Sequence, residues 1–249
     1  MNEVLLHVYG VVRASSALPE ALTGRAGGPV RRISDDELTV IASEVDEQAR
    51  VGRADLLAHA HLLEAVAEES TVIPVQFGVV LPDEETVRRE FLGNERARVL
   101  GLLSAFDGYV QVTVRASYDE ESAMRAVMAR RPDLVELREA AAGEDDGPLA
   151  LQLGQAVAEE LDRLREDVVE LVVSWLQPQA TGVAVNETRG AYEVANVSFL
   201  VERRARTAMD EAVAALDREL GAEMTVRYVG PQPPYAFLDY VVIEENSWA

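Results

Sequence analysis

Asp55-Leu56-Leu57-Ala58-His59-Ala60-His61-Leu62-Leu63-Glu64, followed by Val72-Ile73-Pro74-Val75-Gln76-Phe77-Gly78-Val79-Val80, carries the reading of the fold. Across residues 53–69 the apolar positions Leu56, Leu57, Ala60, Leu63 and Val66 fall on one side of a helix. The apolar, β-branched run 72–80 then predicts a buried strand that stops at a glycine turn. A helix feeding a buried strand places both on one sheet-and-helix layer.

Outward from this pair, Leu5 to Val12 is nearly all apolar and predicts a central strand. Residues 13–28 hold Ser15, Ser16, Pro19, Gly24, Gly27 and Gly28 and predict a loop. Val30 to Ile33 and Leu38 to Val45 predict short strands around a Ser34-Asp35-Asp36 turn. Pro82-Asp83-Glu84-Glu85 opens a second helix toward Phe106, with an irregularity expected at Gly93. Tyr109 to Ala116 alternates as a strand. The whole predicts an α+β protein whose first part, residues 1–142, is a modified ferredoxin-like sheet-and-helix domain.

Residues 119–142 predict helix with a break before Pro132. Gly143-Glu144-Asp145-Asp146-Gly147-Pro148 predicts a linker, and residues 148–249 a smaller α+β domain that opens with a long helix. Val157, Leu161, Leu164, Val168, Leu171 and Trp175 form a coiled-coil-like seam on that helix, expected to pack within the chain. Gly182 to Asn186 and Tyr192 to Val201 predict a hairpin, Arg203 to Leu220 a helix, and Met224 to Val229 a final strand. Gly230-Pro231-Gln232-Pro233-Pro234-Tyr235-Ala236-Phe237 predicts a stiff corner, because three prolines fix φ, with Tyr235 and Phe237 anchoring it on the core.

Composition narrows the functional classes. The 249 residues carry 44 acidic and 23 basic side chains, a formal charge of −21. Phosphate neutralisation needs clustered Lys and Arg, so nucleic acid is a poor partner, as is an anionic membrane. No cysteine is present, which removes disulfides, thiolate nucleophiles and zinc–thiolate sites. The N-terminus has no signal-peptide pattern and no apolar run is long enough to span a bilayer, so a cytoplasmic protein is expected.

No catalytic constellation emerges. His59 and His61 are two apart, about 200° around a helix, and cannot share one ion. Both are expected to be half-exposed, and His7 to be a hydrogen-bonded core residue. There is no G-x-S-x-G elbow and no phosphate loop. Neither a catalytic metal nor an organic cofactor is expected.

Taken in order, Leu6-His7-Val8-Tyr9-Gly10-Val11-Val12, the His59–Glu64 helix with Val72 to Gly78, Asn196-Val197-Ser198-Phe199-Leu200-Val201, and Gly230 to Phe237 resemble the gas vesicle protein F and L family. The resemblance spans nearly the whole chain. Gln76 stands where the family often has Arg, and Gln232 where it usually has Trp, so a role needing that charge or that indole does not carry over. On the matching positions, Tyr9, Gly10, Pro74, Phe77, Gly78, Pro231, Pro233, Pro234, Tyr235 and Phe237 are the expected motif anchors.

The resemblance implies a non-enzymatic accessory protein of gas vesicles. Its implied partners are the hydrophobic major shell protein, whose aggregation it would restrain during assembly, and other gas vesicle accessory proteins. Apolar contacts would be carried by residues 1–142, with the acidic surface supplying solubility. Two other readings stay open: a small-ligand enzyme on a ferredoxin-like scaffold, and a homo-oligomeric scaffold built through the 157–175 seam.

Overall fold

The computed structural model describes residues 4–46, 51–142, 147–221 and 223–240. The chain is α+β, as expected, and divides into two compact units. One comprises residues 1–111 and 230–249, the other residues 112–229, so the second is inserted into the first. The expected division at 143–148 differs from this. Residues 143–146 lie outside the described residues, and the helices before and after them belong to one unit.

In the first unit, β1 (Val4–Arg13), β2 (Val30–Ser34) and β3 (Leu38–Asp46) lie in the order β2-β3-β1 and pair antiparallel. The predicted strand Val72–Val80 is instead two short strands, β4 (Ile73–Pro74) and β5 (Val80–Leu81). Both pair with β1, β4 opposite Gly10 and Val11, β5 opposite Leu6 and His7. Between them the chain needs more residues than β1 has opposite, so 75–79 arches away from the sheet. Pro74 has no N–H to continue the ladder, and Gly78 takes φ +97°, a left-handed value that favours glycine.

Helix α1 (Arg53–Glu69) packs on this sheet through Leu62, Leu63, Val66 and Ala67, which join Tyr9, Val12, Ile41 and Val72 in one core cluster. The buried stripe is rotated from the predicted one. His59 is in it, whereas Leu56 and Leu57 are 48% and 45% exposed. The chain then forms α2 (Glu84–Val87), a π-helical stretch Arg88–Asn94 and α3 (Arg96–Ala105). The irregularity expected at Gly93 is this widened turn, closed by Glu95 N–H donating to the Glu90 carbonyl at 2.8 Å. Asp83 caps α2 by accepting from Thr86 N–H.

The second unit holds most of the sheet β7-β8-β6-β9, built from β6 (Tyr109–Ser117), β7 (Gly182–Val185), β8 (Glu193–Glu202) and β9 (Thr225–Gln232). Helices α4 (Glu120–Arg130), α5 (Asp133–Ala141), α6 (Pro148–Leu176) and α7 (Arg206–Leu220) accompany it. Val112, Leu134, Leu164, Phe199 and Met209 meet in a single core. The α6 seam buries Leu161, Leu164, Val168, Val172 and Leu176. Leu171 and Trp175, expected in it, are partly exposed, Trp175 at 38%. A straight helix drifts about 20° per heptad against a 3.5-residue repeat, which moves the buried line one residue on.

The last strand continues through the first proline, since β9 runs to Gln232. Pro231, Pro233 and Pro234 are buried, and a 3-10 helix follows at Tyr235–Tyr240. Phe237 is the buried ring of this corner. Tyr235, expected to anchor on the core, is 42% exposed.

Candidate functional site: an apolar groove over a histidine pair

The first unit carries a groove of about 830 Å³. Its walls are α1 (Leu56, His59, Ala60), the 75–79 arch with Phe77, the widened turn with Phe91, and the 3-10 segment with Tyr235 and Leu238. The lining is largely apolar. Arg98 and Glu95 at one side pair with each other at 3.3 Å. Each wall has a local cause. The rotation of α1 leaves Leu56 outward, the arch follows from Pro74 and Gly78, and the π-turn carries Phe91.

Behind the groove lies a buried polar network. His7 Nε2 and His59 Nδ1 are 3.0 Å apart, with both side chains buried. This corrects the expected half-exposure of His59, while His7 is the hydrogen-bonded core residue anticipated. His61 points to solvent. The Phe77 ring meets both imidazoles edge-on, with centroids 5.6 and 5.4 Å away. Tyr9 packs edge-on to His7 and stacks on His59.

The Tyr9 hydroxyl joins Ser43 Oγ at 2.8 Å and accepts from the Arg25 N–H at 2.7 Å. The β1–β3 register shifts between Val8 and Gly10, so Tyr9 sits at a bulge that frees its side chain from strict alternation. Arg25 Nε donates to Asp55 Oδ1 at 3.0 Å, and Gly52 N–H donates to Asp55 Oδ2 at 2.9 Å. The network therefore ties the 24–28 loop, β1, β3 and the start of α1 together.

The ionisation states follow from this packing. Burial pushes His7 down to about 4, helped by His59 and Arg25 and opposed by Asp55. Burial also lowers His59, against a raising contribution from the Val75 backbone. Both rings are neutral near pH 7. A backbone group that raises a histidine is an acceptor, so His59 donates toward Val75 and offers Nδ1 as acceptor to His7 Nε2–H. His7 Nδ1 is then bare, and it is buried without a hydrogen-bond partner. Asp55 is lowered, first by the Arg25 hydrogen bond.

Of the expected anchors, Tyr9 and Phe77 pack against this pair, Pro74 lines the groove beside His59, Gly10 lies against Ile73 and Val72, Gly78 lies in the arch, and Tyr235 and Phe237 lie on the C-terminal wall segment. The prolines shape the approach to that segment. The groove lining from Leu56, Phe91 and Leu238 was missed. Leu56 read as core, and a π-turn leaves no periodic signal. Among the described residues no three His, Asp or Glu side chains cluster to hold an ion, and no helix is long and apolar enough to cross a membrane.

The sequence model of the gas vesicle synthesis protein GvpL/GvpF family matches residues 5–239. The chain belongs to that family. It is 35% identical over 240 residues to gas vesicle protein F of Streptomyces sp. (strain CB03234), covering 94% of this chain and 99% of the relative. Gas vesicle protein F of Dolichospermum flosaquae is 24% identical over 238 residues, 93% and 96% of the two chains. A gas vesicle protein L2 of Halobacterium salinarum is 24% identical over 268 residues, 98% of this chain and 94% of the relative. Among solved structures, GvpF from Microcystis aeruginosa superposes with a TM-score of 0.74 at 22% identity, covering 94% of this chain and 98% of that one. At that identity the likeness establishes the GvpL/GvpF fold alone.

Proposed function

We propose that the protein is a non-enzymatic accessory factor of gas vesicle formation, associated with the vesicle. It binds the hydrophobic major shell protein and restrains its aggregation during assembly. The observation that supports this most directly is the family match across residues 5–239. The groove supports a place for binding: Leu56 and Tyr235 line it and leave apolar surface exposed. Exposed apolar surface gathered in one concavity is the form protein-docking sites take. A formal charge of −21 keeps a complex with an aggregation-prone subunit in solution.

The binding unit is redrawn by the walls of the groove. Two wall residues, Tyr235 and Leu238, lie beyond residue 142, so a 1–142 fragment lacks part of the proposed site. Other gas vesicle accessory proteins are secondary partners in this reading. The deciding test dilutes shell protein from denaturant with the full-length chain present at comparable concentration. Turbidity falls and the two co-purify at low and at high salt. Unchanged turbidity together with failed co-purification at both salts refutes the proposal.

A further inference from the structure

The wall of the groove rests on two titratable rings that can share only one proton between their facing nitrogens. His7 Nε2 and His59 Nδ1 lie 3.0 Å apart. When both rings are neutral, one nitrogen donates and the other accepts. When both are protonated, two N–H groups confront each other and the contact becomes repulsive. Protonation of His7 alone also fails, because its Nδ1 is buried with no acceptor.

The pair is mechanically coupled to the groove. His59 lines it, and Phe77 packs edge-on against both rings. The arch that carries Phe77 hangs from the same place, since Val75 N–H donates to the Tyr9 carbonyl at 2.8 Å. We infer that the His7–His59 pair is a proton-sensitive latch on the 75–79 arch, so that mild acidification loosens this wall and weakens docking. The docking half of this statement rests on the proposed role of the groove.

Among the groups facing the pair, burial and Arg25 disfavour a proton on His7 and only Asp55 favours one. From α1 come His59 and Asp55, from the 24–28 loop Arg25, from β1 Tyr9, from β3 Ser43 opposite His7, and from the arch Phe77. Asp55 is the one carboxylate acting on His7, and it is engaged by Arg25 and Gly52 N–H. An imidazolium formed here therefore gains little compensation, and the open arch, where the rings reach water, binds protons more readily. His7, regaining an ordinary pKa of about 6.5 on opening, makes the open form about tenfold more populated by pH 5.5, and the lowered His59 adds in the same direction.

The test is amide hydrogen exchange of the full-length chain at pH 7.5 and 5.5, corrected for intrinsic rates, with imidazole nitrogen NMR alongside. Opening of residues 75–79 should rise at least about tenfold, the share of His7, while β8 amides keep their protection. His7→Gln keeps a donor toward His59 and cannot be protonated, so its rise should be about tenfold smaller than that of the wild type. Equal exchange at both pH values, or an undiminished rise in His7→Gln, overturns the latch. If His7→Gln does not fold, the wild-type NMR decides: His7 and His59 should remain neutral in the closed form at pH 5.5, and ordinary titration of both overturns it. Denaturant-diluted shell protein should bind the wild type at least threefold more weakly at pH 5.5. Equal binding at both pH values overturns the docking half. No binding at either pH instead removes the docking reading, and the exchange arm then decides the latch alone.

Discussion

A Cβ placed on Gly10 would lie 2.8 Å from the carbonyl oxygen of Ile73, closer than carbon and oxygen can approach. Val72 Cγ2 at 2.9 Å and Leu63 Cδ2 at 3.0 Å close the other sides. Gly10 is where β1 turns from its bulge to meet β4, so it permits the edge that carries the arch. Gly10→Ala should destabilise by about 1–3 kcal/mol, the usual cost of overpacking. Urea denaturation measures it, and a wild-type midpoint would contradict the close approach.

Tyr9→Phe removes one hydroxyl and strands two groups. Ser43 Oγ and the Arg25 N–H both lose their partner behind buried apolar walls. The expected cost is about 1–3 kcal/mol, with the 24–28 loop losing exchange protection before the rest of the unit. Uniform loss across the unit would show that the hydroxyl does not hold that loop.

Phe77 separates packing from binding. Its ring is only half-buried, so Phe77→Ala should cost less than the ~3–5 kcal/mol of a fully buried ring. Shell-protein binding should fall at least tenfold at pH 7.5. Binding unchanged alongside a large fall in melting temperature would assign Phe77 to packing alone.

Stability itself should depend on pH through His7. Its folded pKa, about 4, is below the unfolded value of about 6.5, so the unfolded chain binds the extra proton between them. The stabilisation is complete above pH 6.5 and is lost as pH falls toward 4, for a total of about 3 kcal/mol. The difference between wild type and His7→Gln, measured by denaturation from pH 7.5 to 5, isolates this share from that of the carboxylates. A pH-independent difference would be inconsistent with a buried neutral His7.

Limited proteolysis should cut within residues 143–148, a polar Gly- and Asp-rich stretch. The products should stay together on gel filtration, because Leu134 before the cut shares a core with Leu161 and Leu164 after it. Fragments that separate freely would favour two domains meeting at that stretch.

Much of the fold was legible because its signals are local. The helix at 53–69, the break before Pro132 and the hairpin of β7 and β8 follow from spacing, proline and turn chemistry. The unit boundaries were not, because Gln111 and Val112 sit inside one unbroken strand and no composition shift marks them. The site was half legible. His7 was placed in the core and Phe77 at a constrained turn. His59 was misplaced because its neighbours Leu56, Leu57 and Ala60 gave the stronger apolar stripe, and its partner is 52 residues away on β1. Tertiary pairing of that kind leaves no trace in helical period.

The insertion of residues 112–229 within the sequence of the other unit bears on how the polypeptide is made. A ribosome releases residues 112–229 before residues 230–240, so nearly all of the inserted unit precedes the last wall of the groove. Until Tyr235 and Leu238 emerge, a nascent chain has no finished groove, so the wall over the histidine pair is completed only by the last part of the chain to leave the ribosome.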